Sequence, residues 1–139
     1  MKRLHRLMDY KKVIKPVVLW VPAGAWMAVI FYFSAQAKGS PTLEHFPAPA
    51  GIGHFVGYAL LGFLLYRAFN GGLKGWSLQA AGYALLVGFL YAVSDELHQW
   101  FVPGREAAFY DVLIDLGGTA MGVLLLRIGN LSILRKPGN

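Results

Sequence analysis

Residues 109–128 read FYDVLIDLGGTAMGVLLLRI, an apolar run interrupted by acids only at Asp111 and Asp115. A helix that crosses a bilayer needs about 20 predominantly apolar residues, and this run has that length. At helical spacing Asp111, Asp115, Gly118 and Gly122 stand at i, i+4, i+7 and i+11, so the carboxylates and small residues share one stripe. A charged group at the bilayer centre costs about 2.5–3.5 kcal/mol on insertion scales, so the stripe is expected to face other helices, whose backbones the glycines let approach. With a rise of about 1.5 Å per residue, Asp111 lies near the membrane boundary and Asp115 roughly two turns inside. Asp115 is the residue most in need of a partner.

Three further apolar runs precede this one, at 16–34, 51–69 and 78–94, the last continuing as a more polar turn to residue 101. Pro22 falls within the first, where neighbouring helices can satisfy the carbonyl it frees. The chain has 139 residues, of which 14% are charged, against about 25% in an ordinary soluble domain. Lipid is therefore the expected solvent, and the fold class is all-α: an integral membrane bundle of four transmembrane helices. Residues 1–15 form a basic segment, 16–128 the bundle and 129–139 a basic tail suited to anionic headgroups. The triplet Ala35-Gln36-Ala37 after the first run matches a small-x-small cleavage pattern, but the run exceeds the usual signal core of about 7–15 residues and is read as a retained span. With no cysteine, the chain has no disulfide, thiol nucleophile or zinc-thiolate site.

Lysine and arginine placement sets the expected direction, because the richer side stays in the cytoplasm. Lys2, Arg3, Arg6, Lys11, Lys12 and Lys15 precede the first run, Arg67 and Lys74 flank the second connection, and Arg127, Arg135 and Lys136 follow the fourth. Only Lys38 and Arg105 fall on the other side, so both termini are expected in the cytoplasm of a bacterial cell, with the acidic motif facing out. The net charge of +6 comes from residues beside apolar runs, without a basic stripe interleaved with aromatics, which argues against nucleic acid as a partner.

Of seven acidic residues, Asp95, Glu96, Glu106, Asp111 and Asp115 lie between positions 95 and 115, together with His98, Gln99 and Arg105. If the third helix continues through Gln99, then Asp95, His98 and Gln99 share a face and Glu96 points elsewhere. The second run offers His54 and Tyr58 one turn apart, with Gly53 and Gly57 as an expected close-packing ridge, and Ser34 and Gln36 end the first run at the same level. These groups are expected to line one outward vestibule. Pro103-Gly104 supplies a turn, after which Arg105 and the N-terminal end of the fourth helix offer a place for an anionic phosphate or carboxylate.

Plainer roles exist for several of these residues. Asp111 suits the helix dipole, His54 serves equally as a hydrogen-bonded packing residue, and His45 sits in a solvated Pro-rich loop. Arg105 can pair with Glu106 or Asp111, but a surface pair is worth about 0–1 kcal/mol and does not account for the whole cluster. His54, Asp95, Glu96, His98 and Asp111 are the candidates for acid–base catalysis, and Tyr58, Gln99, Arg105 and Asp115 for ligand binding. A metal reading draws on His54, His98, Asp111 and Asp115, whose ligand types suit zinc or manganese, although their spacing forms no standard motif. A transport reading is weakened because the polar residues stop about halfway down. No Gly-Lys-Ser phosphate loop or nucleophile elbow is present. The Gly-x-x-x-Gly ridges serve association between copies or packing within one, which leaves a homo-oligomer open.

The run Asp95-Glu96-Leu97-His98-Gln99-Trp100-Phe101-Val102-Pro103-Gly104-Arg105, followed by Asp111 and Gly118, resembles the VanZ-like family of small bacterial membrane proteins. Gly53-His54-Phe55-Val56-Gly57-Tyr58-Ala59-Leu60-Leu61-Gly62 is similar to its His-Phe-x-x-Tyr-x-x-Leu-Gly element. Two positions depart from the pattern: Ala50 and Gly51 stand where the family commonly has an acid and a lysine, and Asp115 where it often has asparagine. The resemblance implies an envelope protein, the family's named member being associated with low-level resistance to teicoplanin, a lipid-tailed glycopeptide that binds cell-wall precursor peptides. It implies no reaction or cofactor. The leading expectation is thus a vestibule that binds an anionic membrane lipid, a cell-wall precursor or a glycopeptide antibiotic. The rivals are an intramembrane enzyme acting on a lipid-linked substrate and a small transporter.

Overall fold

The computed structural model describes residues 2–45 and 50–134, with side chains placed at 15–45 and 51–129; Arg135 and Lys136 of the basic tail lie outside the described residues. Its helices are α1 (Lys2–Ser34), α2 (Pro41–Glu44), α3 (Ala50–Phe69), α4 (Leu78–Gln99) and α5 (Phe109–Leu134). Four segments are long and apolar enough to cross a membrane: Lys15–Ser34, Gly51–Phe69, Leu78–Gln99 and Phe109–Gly129. All four expected spans form. The first helix also extends back through the basic segment to Lys2, whose leucines, lysines and arginines are good helix formers, and both Pro16 and Pro22 lie inside it. The third continues as regular helix to Gln99 instead of loosening after Ser94, and α5 runs beyond residue 128.

Helix α3 is the hub, packed against α5, α4 and α1. Its contact with α5 is the most intimate because glycines remove the side chains that would hold the backbones apart. A methyl group added at Gly118 would collide with the Phe55 carbonyl, one at Gly122 with the Ala59 carbonyl, and one at Gly62 with the Thr119 backbone. Gly118 and Gly122 therefore pack within the monomer, as the small-residue stripe implied. Gly53 and Gly57 do not: a Cβ at either meets nothing within 4 Å. That corrects the expected ridge, because these glycines line an open cleft instead of packing against another helix.

Helix α1 is the loosest member. Trp26 Nε1 donates to the Gly57 carbonyl at 2.8 Å, and the Tyr91 hydroxyl donates to the Met27 carbonyl at 2.6 Å. These bonds pin the middle of α1 to α3 and α4. Further along, Arg67 Nη1 reaches the Val18 carbonyl at 3.3 Å and Trp20 meets Phe69 edge-on, with ring centroids 4.8 Å apart. The buried core comprises Tyr58, Leu61, Leu65, Tyr66, Ala84, Ala92, Val123 and their neighbours, while Val17, Val21, Val56, Leu86, Leu90, Leu113 and Leu125 are exposed. Such broad apolar outer faces belong against acyl chains, not water.

The connections are short and built on turn chemistry. In Val102-Pro103-Gly104-Arg105 the Arg105 amide donates to the Val102 carbonyl at 3.1 Å, with Gly104 at φ 74°, the left-handed conformation that a type II turn demands at this position. At the opposite end, Ser77 caps α4 by accepting from the Ala80 amide, and its own amide donates to the Tyr66 hydroxyl at 3.0 Å.

Candidate functional site

The α1–α2 and α4–α5 connections lie at the same end of the bundle, with the start of α3. Above the Trp26 bond to Gly57, α1 and α3 separate and leave a cleft of about 820 Å³. Trp26, Val29, Ile30, Ile52 and Val56 form its apolar walls; Ser34, His54, Tyr58, Asp95, Gln99 and Asp111 contribute polar groups; and Lys38 and Arg105 also line it. The volume falls within the usual range of small-molecule sites, about 300–1,000 Å³.

Three helices each send one titratable group to the same point. His54 of α3 and Asp115 of α5 are joined through Nδ1 and Oδ1 at 3.1 Å, and Asp115 is fully buried. This is the partner that Asp115 required, and it exists because Gly118 and Gly122 let α3 and α5 approach. From α4, Asp95 is also buried, and its Oδ2 accepts from Gln99 Nε2 at 3.1 Å, one turn away. One potential ligand atom from each of His54, Asp95 and Asp115 lies within 4.8 Å of the others. The Thr119 hydroxyl donates to the Asp115 carbonyl at 2.9 Å and packs beside Gly88, fixing α5 against α4 below the group.

The other candidates occupy different places. His98 stands within one turn of Asp95 and was expected on its face, but it sits toward α1, where its ring tilts against Phe31 with centroids 4.5 Å apart. It does not line the cleft. Glu96 points away from Asp95, as expected, and its Oε2 accepts from the Ala108 amide at 2.8 Å. The start of α5 is thus already met by a protein carboxyl group, and Arg105 and Lys38 are cations that line the cleft beside it. Arg105 makes a long bond from Nη2 to the Phe33 carbonyl, 3.5 Å, which ties the α4–α5 turn to the end of α1. Asp111 lines the cleft one turn above Asp115. For a metal, the geometry therefore gathers Asp95 with His54 and Asp115, while His98 and Asp111 stand outside that group.

Four buried polar atoms of cleft-lining residues have no hydrogen-bond partner among the described residues: Ser34 Oγ, Tyr58 Oη, Asp95 Oδ1 and Arg105 Nε. Buried polar groups are ordinarily satisfied, so such a concentration at one cleft is a functional signal. Below Tyr58 the interior turns apolar, through Leu61, Leu65, Ala84, Val123 and Leu126, and the hydroxyls of Thr119 and Tyr66 are engaged. Trp26, Tyr91 and the apolar part of the cleft lie outside the residues that the sequence pattern singles out. An indole or phenol in mid-span, which must find an acceptor, was the available signal.

A protein-family model described as VanZ/LLP1 matches residues 19–131, which includes all of the cleft. Neither the curated proteins nor the solved structures offer a match.

Proposed function

The chain belongs to the VanZ/LLP1 family, and we propose that this multi-pass membrane protein binds an amphiphilic, anionic component of the bacterial envelope in the cleft between α1 and α3. The observation that carries the reading is the make-up of the cleft: unpartnered polar atoms and two cations, interspersed with the carboxylates of Glu44, Asp95, Glu106 and Asp111, beside an apolar wall. A ligand that matches both parts has a charged or hydrogen-bonding head and a hydrocarbon tail. Anionic lipids, lipid-linked cell-wall precursors and lipid-tailed glycopeptides such as teicoplanin share that chemistry. Lys38 and Arg105 would meet the anion, Ser34, Tyr58 and Gln99 would bond the head, and the tail would lie along Trp26, Val29 and Val56. The positive-inside distribution supports a cleft that opens to the outer face.

Titration of the purified protein in non-ionic detergent with a short-chain phosphatidylglycerol and with teicoplanin tests this reading. Replacing Lys38 and Arg105 together by alanine is expected to weaken binding of the anionic lipid about tenfold or more, equivalent to at least about 1.4 kcal/mol. Unchanged affinity for both ligands in that double variant rejects the reading.

A second reading rests on one specific feature, the imidazole of His54 held by buried Asp115 beside the head region. A histidine oriented by a carboxylate is the arrangement of a general base, and a lipid-linked ester or phosphate in the cleft would be its substrate. Loss of turnover with retained binding in His54→Gln, measured on a lipid-linked substrate, distinguishes the enzyme from the binding protein.

A further inference from the structure

We propose that His54, Asp95 and Asp115 form a site for one divalent transition-metal ion, of the zinc or manganese class, at the polar head of the cleft. The three residues come from α3, α4 and α5, the helices that pack most closely, so their backbones are held by the contacts at Gly62, Gly88, Gly118 and Gly122. One ligand atom from each already lies within 4.8 Å of the other two. Nitrogen and oxygen ligands about 2.1 Å from a tetrahedral ion stand about 3.4 Å apart, so small side-chain rotations close the site.

Charge and hydrogen bonding point the same way. Asp95 is 3% exposed and Asp115 0%, yet Asp95 Oδ1 and Asp115 Oδ2 have no hydrogen-bond partner among the described residues. The hydroxyl of Tyr58, a residue 1% exposed and one turn from His54, is likewise unpartnered. Two ionised carboxylates and a neutral imidazole balance a divalent cation and leave no net charge in the low-dielectric interior. Magnesium fits less well, because it prefers an all-oxygen shell that retains several waters. Three protein ligands leave a coordination position for the cleft, which His54 and Asp95 both line.

The metal site does not depend on capture of an amphiphile, and its test uses none. Chelator-treated protein in detergent is titrated with cobalt, whose visible absorption reports nitrogen–oxygen coordination, and with manganese followed by electron paramagnetic resonance. One equivalent is expected, with affinity falling about 100-fold or more in Asp95→Asn and Asp115→Asn, since even outer-shell partners of a metal typically cost 10–100-fold. His98→Gln, on the other side of α4, is expected to bind as the parent does. Because Asp115→Asn alters a buried pair, thermal stabilisation by cobalt is compared in the parent and in Asp95→Asn; it is expected in the first and absent in the second. Failure of the parent to take up one equivalent, or equal uptake by the Asp95→Asn, Asp115→Asn double variant, overturns the proposal.

Discussion

At the scale of single residues, the site depends on a buried pair that neither sequence neighbour could supply. Asp115 is fully enclosed and His54 Nδ1 lies 3.1 Å from its carboxylate, so removing the acid leaves a cavity and a partly buried imidazole without its partner. Asp115→Ala is expected to lower stability by about 1–3 kcal/mol, the cost of an unsatisfied buried group, whereas Asp115→Asn keeps the volume and one bond and loses less. Thermal unfolding in detergent micelles measures both. Glu96→Ala removes the acceptor of the Ala108 amide and is expected to cost about 0.5–2 kcal/mol, with fraying of the first turn of α5 visible as faster amide exchange there. His98 shows where reading by residue type stops. Its i+3 spacing from Asp95 implied a shared face, but in the packed bundle its ring lies against Phe31 of α1.

At the scale of elements, α5 against α3 is a contact made by glycine, and the middle of α1 is pinned by the Trp26 and Tyr91 hydrogen bonds. Gly122→Ala and Gly118→Ala each press a methyl into the α3 backbone, with an expected loss of about 1–3 kcal/mol or more. Gly53→Ala, which meets open space, is expected to unfold at the parental temperature. Equal destabilisation at positions 53 and 118 would remove the distinction between the packing stripe and the cleft wall. The Gly-x-x-x-Gly spacing was legible on both helices, but spacing cannot say which stripe finds a partner. That depends on α1, which leans on α3 at Trp26 and diverges beyond it. Losing these bonds, in a Trp26→Phe, Tyr91→Phe double variant, is expected to cost about 1–3 kcal/mol, twice the usual net value of a hydrogen bond.

At the scale of the whole molecule, the cleft joins polar groups at one end of the bundle to an apolar flank along it. Gly53→Leu places a branched side chain in that cleft and is expected to abolish binding of short-chain phosphatidylglycerol while the protein stays folded. Direction in the membrane is open to a clean test because the chain has no cysteine. With single cysteines at Glu106 and Lys74, an impermeant maleimide added to intact cells is expected to label the first, and the second only after permeabilisation. Labelling of Lys74→Cys in intact cells would reverse the proposed orientation and put the cleft in contact with cytoplasmic solutes.

Hydropathy and charge along the chain were enough to establish four membrane-spanning helices, the need of Asp115 for a buried partner and the gathering of acids and histidine at one end. Those properties follow from the cost of exposing polar groups to lipid, which acts on each segment separately. The choice of His54 as that partner, the packing of His98 against Phe31, the Ala108 amide as the partner of Glu96 and the opening of a cleft beside Gly53 and Gly57 came only with tertiary structure. Each is a matter of how far one helix rotates and leans against another. That rotation is set by side-chain contacts summed across several helices, which no single segment records.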